Sequence, residues 1–159
     1  MDKGAVVPDF ELPDEKGEPR RLSQLLVNGC VVLFFYPSAG SRGCSVETRH
    51  FQDLIGEFAK SGAQVVGISR DQISKQLDFS ERCSLDFPLL SDSRGVVAAS
   101  LGVKRRFGPI AVKRWTFVID TGRQVFAVIK SETHMSAHAD RALEAVRLLR
   151  APDADGDTS

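Results

Sequence analysis

Residues Val31-Val32-Leu33-Phe34-Phe35-Tyr36 form an apolar run with no polar alternation. A strand covered on both faces reads this way, whereas a strand with one wet face alternates. Pro37 stops the run, since proline has no N–H to give to a ladder. A loop of small residues follows at 38–43. Phe51, Leu54, Ile55 and Phe58 then recur at helical spacing and predict a helix over 46–58, closed by Ser61-Gly62. Residues 63–69 read as a second buried strand. Strand, helix and strand of these lengths make a right-handed parallel crossover, and the rest of the chain must cover its two faces.

The remaining segments fit that requirement. Residues 10–17 alternate briefly and turn at Lys16-Gly17, which predicts a short edge hairpin that tolerates Pro13. A helical turn over 22–26 stops at Asn28-Gly29. A second helix is expected over 74–83 with Ile73 and Leu77 inward. Residues 87–90 form a short apolar segment, and Asp92 can cap a helix ending at Gly102. Residues 115–120 and 124–129 flank a Thr121-Gly122-Arg123 turn as an antiparallel hairpin. Ala139, Ala142, Leu143, Val146 and Leu149 stripe a last helix. The expected architecture is α/β: one central mixed sheet flanked by helices, with an N-terminal hairpin, most simply a thioredoxin-like fold over residues 1–150. Residues 151–159, with Asp153, Asp155 and Asp157 and no apolar period, are expected to be a disordered acidic tail.

Composition removes several functions. Lysine and arginine number 21, as do aspartate and glutamate, so no net charge draws the chain to nucleic acid or an anionic membrane. Lys104-Arg105-Arg106, the one local basic run, reads as a solvated face. The longest apolar stretch, 30–36, is far short of the roughly twenty residues a bilayer demands. The first residues lack a basic region leading into an apolar core, so secretion is not expected. Three cysteines do not make a disulfide framework. A cytoplasmic protein with reduced thiols is the expectation, and each cysteine becomes a question about chemistry.

Cys44 lies where the loop after the first buried strand enters the helix. Free amides there, with the positive end of the helix dipole, stabilise a thiolate over a thiol. Open α/β sheets also place ligands beyond the carboxyl ends of parallel strands. Position alone leaves two readings open, since a lone cysteine is often a small inert core residue.

The surrounding pattern separates them. Pro37, Ser41 and Cys44 stand as a proline, a hydroxyl four residues on and a cysteine seven on. This resembles the P-x-x-x-[TS]-x-x-C signature of the peroxiredoxins. Gly43-Cys44-Ser45-Val46-Glu47 is similar to the helix start of the bacterioferritin comigratory protein, or peroxiredoxin Q, subgroup. Further along, Val66-Gly67-Ile68-Ser69-Arg70-Asp71, Phe87-Pro88-Leu89-Leu90-Ser91-Asp92 and the strand opened by Arg114-Trp115-Thr116-Phe117 resemble the family in order, covering roughly residues 4–148.

The resemblance implies a thiol-dependent peroxidase acting on hydrogen peroxide and organic hydroperoxides. Cys44 would be the nucleophile that becomes a sulfenic acid. Ser41 would hydrogen-bond the thiolate or orient the peroxide, and Pro37 would shape the pocket wall. Proximity in sequence favours Arg42 or Arg49 as the cation, but the resemblance selects Arg114. Glu47, one helical turn past Cys44, would hold that arginine. Many members of the subgroup carry a second cysteine at a position that is Arg49 here. Cys83 matches the region where others carry the resolving thiol, and the alternative is a helix cysteine with no role. Cys30 reads as structural. Thioredoxin or a similar donor would recycle the enzyme, as a monomer or weak homodimer with no cofactor and no metal.

The histidines carry little by themselves. His50 points away from Cys44 around a helix. His134 and His138 have chelating spacing without a third ligand. Two other functions compete on the same fold, and the sequence disfavours the first. A thiol–disulfide oxidoreductase needs Cys-x-x-Cys, which Ser41 and Glu47 deny it. A peroxide sensor or binding protein on the same scaffold would oxidise at Cys44 without turnover.

Overall fold

The computed structural model describes residues 1–104, 112–131 and 135–158. A hairpin of β1 (Glu11–Pro13) and β2 (Pro19–Arg21) leads into α1 (Leu22–Leu25) and a 3-10 turn at Leu26–Asn28. Then come β3 (Cys30–Phe35), α2 (Arg42–Asp53), α3 (Ile55–Lys60) and β4 (Ala63–Ser69). The second half holds α4 (Ile73–Cys83), β5 (Leu89–Ser91), α5 (Val96–Ser100), β6 (Trp115–Ile119), β7 (Val125–Lys130) and α6 (Met135–Thr158). Five strands form one sheet in the order β5-β4-β3-β6-β7. β3 pairs in parallel with β4, and β6 runs antiparallel to both β3 and β7, so the sheet is mixed as expected.

The apolar run that opened the sequence explains this arrangement. Every residue of β3 is buried, and its side chains divide between two apolar layers. Cys30, Val32, Phe34 and Tyr36 pack toward α2, α3, α4 and α6. Val31, Leu33 and Phe35 pack toward α1 and α5. Phe34 stacks on Phe51 with ring centroids 4.3 Å apart and meets Phe87 edge-on, which fixes α2 over the sheet. Gly29, ahead of β3, has φ 142, and a Cβ there would lie 2.1 Å from the Gly62 carbonyl oxygen. Only glycine permits that close approach.

Three elements depart from expectation. The helix expected over 46–58 is two, broken at Leu54, and α2 starts at Arg42. The earlier start comes from Ser41, whose backbone is extended and whose hydroxyl accepts the Cys44 N–H as an N-cap. α4 is rolled about its axis: Ile73 and Leu77 are each 37% exposed, while Gln76, Phe79 and Ser80 are buried. Gln76 wins the inward face because its amide is fully used. It accepts from the Tyr36 hydroxyl and donates to Ser69 Oγ and the Leu90 carbonyl. α5 is shorter than expected and its N-cap is Gly95 rather than Asp92, which lies three residues further back and accepts from the Val97 and Ala98 amides. At the C-terminus the backbone of α6 runs on to Thr158, through the segment whose composition predicts no order.

Candidate active site

The loop between β3 and α2 leaves the sheet at the carboxyl end of two parallel strands. Asp71, just past β4, fastens it. Asp71 Oδ2 accepts from the Ala39 amide and from Ser69 Oγ, each at 2.7 Å. Lys75 on α4 pairs with Asp71 at 3.1 Å and donates to Ser38 Oγ. Pro37 is half-buried at the loop's start, and Ser41 closes it as the N-cap. Cys44 therefore sits in the first turn of α2, with no exposure. The Ser41 oxygen accepts the Cys44 N–H, which leaves the Ser41 hydrogen available to donate.

The cation arrives through the sheet register. β6 pairs with β3 so that Thr116 faces Phe34. Carried two residues further, the register sets Arg114 beside Tyr36, at the point where the Cys44 loop departs. Arg114 Nη1 donates to Cys44 Sγ at 3.2 Å. This contact sets a fixed positive charge directly against the buried sulfur.

Below this pair lies a buried carboxyl. Glu47 has no exposure, and neither of its oxygens has a hydrogen-bond partner. Burial pushes its carboxyl up to about 8, and Arg114 pulls in the opposite direction. His138 on α6 is equally buried, with Nε2 3.7 Å from Glu47 Oε2 and Nδ1 2.7 Å from Thr116 Oγ1. Tyr36 completes the floor. Its hydroxyl is pushed well above its ordinary value, first by burial and further by the negative charges at Asp71 and Cys44.

The structure thus brings together Cys44, Arg114, Glu47 and the Ser41 cap. Cys83 ends α4, partly exposed, and packs on the same apolar cluster that contains Cys44; all three cysteines are free thiols. Cys30 lies at the other end of β3, where burial pushes its thiol up. Arg49 is exposed, and the side chain of Arg42 lies outside those described. His50 faces Asp140 at 2.8 Å, away from Cys44. His134, Arg105 and Arg106 lie outside the described residues. Among the described residues, no three or more His, Cys, Asp or Glu gather as a metal site.

The sequence reading missed Asp71, Gln76 and the His138–Thr116 pair. Asp71 had a signal, an acid two residues after the last residue of a buried strand, where loops need amide acceptors. His138 had none, because its role depends on α6 folding back over α2 and β6.

Residues 4–128 match the AhpC/TSA family. A putative peroxiredoxin of Mycobacterium tuberculosis is 56% identical over 152 residues, 94% of this chain and 99% of the relative. The crystal structure of peroxidoxin BcpB from Mycobacterium tuberculosis superposes with a TM-score of 0.90 at 55% identity, covering 94% of this chain and 99% of that one. The bacterioferritin comigratory protein of Xanthomonas campestris, described for its alkyl peroxide reduction activity, superposes with a TM-score of 0.81 at 27% identity over 89% of this chain and 92% of that one. The fold, the thiol at the helix start and these likenesses converge: the chain belongs to the AhpC/TSA family, among the peroxiredoxins of the bacterioferritin comigratory protein and peroxiredoxin Q kind.

Proposed function

We propose that in this thiol-dependent peroxidase Cys44 is the nucleophile that reduces hydrogen peroxide and organic hydroperoxides. The thiolate attacks the far oxygen of the O–O bond. An S–O bond forms, the O–O bond breaks, and the departing oxygen leaves as an alkoxide or hydroxide that takes up a proton. Cys44 is left as a sulfenic acid, and the peroxide as an alcohol or water. Arg114 serves twice, holding the thiolate and then meeting the charge on the departing oxygen. The Ser41 hydrogen is the donor that orients the peroxide, and Pro37 walls the pocket. The observation that carries this reading is the 3.2 Å contact between Arg114 Nη1 and Cys44 Sγ.

Peroxide must reach a sulfur with no exposure, so the 38–43 loop has to lift from Asp71. The same motion serves the second half of the cycle. Cys83 is the resolving thiol in this reading. Its sulfur displaces water from the sulfenic acid, forming a disulfide that thioredoxin or a similar dithiol donor then reduces. A disulfide requires α-carbons within roughly 7 Å, which the first turn of α2 and the last of α4 reach by local unwinding. The enzyme works in the cytoplasm as a monomer or weak homodimer in this reading. Among the described residues, no helix is long and apolar enough to cross a membrane. Peroxide consumption by the reduced chain and by Cys44→Ser tests the central step. Loss in the variant is expected, and retained turnover would overturn it.

A further inference from the structure

Glu47, His138 and Thr116 are each fully buried where α2, α6 and β6 meet. A buried carboxyl with no hydrogen bond is costly to ionise and must be answered by its neighbours. Among the described residues, three titratable or charged groups face it. These are Cys44 one turn back on its own helix, Arg114 ahead of β6, and His138 from α6; β6 adds only the uncharged Thr116.

The histidine's hydrogens follow from its partners. Nε2 lies against the Ser131 carbonyl, which can only accept, so Nε2 carries a hydrogen. Nδ1 lies against the Thr116 hydroxyl, which can give or take one. A neutral ring accepts the Thr116 hydrogen. A charged ring donates to the Thr116 oxygen once the hydroxyl has turned. The Nε2–H edge also stands 3.7 Å from Glu47 Oε2. One proton can therefore rest on either group, leaving the pair neutral overall in both arrangements.

We propose that His138 is a positioning residue for the peroxide reaction, setting through its contact with Glu47 whether that carboxyl stands neutral or charged beside Arg114. The proposal rests on the roles assigned above to Cys44 and Arg114. A charged Glu47 competes with Cys44 for the guanidinium and adds a like charge one helical turn from the sulfur. The reactive state is the one with Glu47 neutral. The Nε2–H of His138 favours the carboxylate, so a chain without that ring keeps the Glu47 proton to higher pH. With the carboxyl pushed up to about 8, the change falls where peroxide kinetics can be followed.

The test is the second-order rate of peroxide reaction from pH 6 to 10, read by the fluorescence of Trp115, the chain's single tryptophan. In the unsubstituted chain the rate is expected to fall on the alkaline side with a midpoint near 8. Glu47→Gln should remove that fall, and His138→Asn should move it upward by about one pH unit. An unchanged alkaline midpoint in His138→Asn, or no fall in the unsubstituted chain, overturns the proposal. Should the variants fail to fold, carbon-13 titration of the Glu47 carboxyl and the His138 ring in the intact chain decides it. Signals moving together near pH 8 support the coupling, and a Glu47 carboxyl titrating in the ordinary range overturns it. A chain that never reacts with peroxide overturns the assigned reaction, while the carbon-13 titration still reads the pair.

Discussion

Cys44 differs from an inert core cysteine in one contact. It is as buried as Phe51 or Val32, and its polarity comes from the Arg114 guanidinium at 3.2 Å. Arg114→Met keeps the bulk of the side chain and removes that charge. The peroxide rate constant is expected to drop by about 10²–10³, the usual cost of losing one donor to developing charge. An unaffected rate in a stopped-flow assay would show that the cation does no chemistry. Glu47 makes a separate prediction about stability. Its carboxyl is raised from 4.5 to about 8 on folding, so the folded chain holds this proton more tightly than the unfolded one. Stability from this group is therefore full below the unfolded value and declines as pH rises through that interval. Glu47→Gln should be the more stable chain at pH 8, by on the order of 4 kcal/mol in urea unfolding, with the gap closing toward pH 4. At this scale the sequence was legible where function depends on local position. Cys44 was visible as a thiol at a helix start. Arg114, 70 residues away, became visible through resemblance and not through spacing. His138 was invisible, because a histidine in an amphipathic helix does not announce a buried carboxyl on another helix.

Among the elements, α4 and the 38–43 loop act as one unit. Asp71 joins the loop amide of Ala39, the strand-end hydroxyl of Ser69 and the Lys75 ammonium, so the loop cannot lift without breaking that junction. Asp71→Ala leaves the Ala39 amide without its acceptor. It should cost about 1–3 kcal/mol in chemical unfolding. It should also speed formation of the Cys44–Cys83 bridge after peroxide, measured by non-reducing mass analysis over time. Slower bridging would mean that the junction helps the thiols meet. The roll of α4 shows why this unit was only half legible. Counting apolar residues turned Ile73 and Leu77 inward, yet the inward group is Gln76, held between Tyr36, Ser69 and Leu90. A glutamine that satisfies three partners at a sheet end outweighs two aliphatics that can stay at the surface. The helix start was misplaced for a similar reason. Ser41 was assigned to the sulfur when its capping bond to Cys44 N also sets where α2 begins.

Across the whole molecule, the sheet is the part the sequence specified most fully. An unalternated strand needs two apolar faces, and β3 supplies alternate side chains to both layers. Phe34→Ala should cost about 3–5 kcal/mol, since it opens a cavity between Phe51 and Phe87, and thermal unfolding measures this. The site is the junction of parts distant in sequence: a loop after β3, an arginine before β6 and a helix crossing back from the C-terminal side. Its central claim is that Cys44 alone takes the peroxide oxygen. The most direct measurement treats the reduced chain with one equivalent of hydrogen peroxide, traps sulfenic acid with a dimedone reagent and maps the adduct by peptide mass spectrometry. Label confined to Cys44, with Cys30 and Cys83 unlabelled, is the predicted result. Label on Cys83 or Cys30 with Cys44 still a thiol would contradict the account.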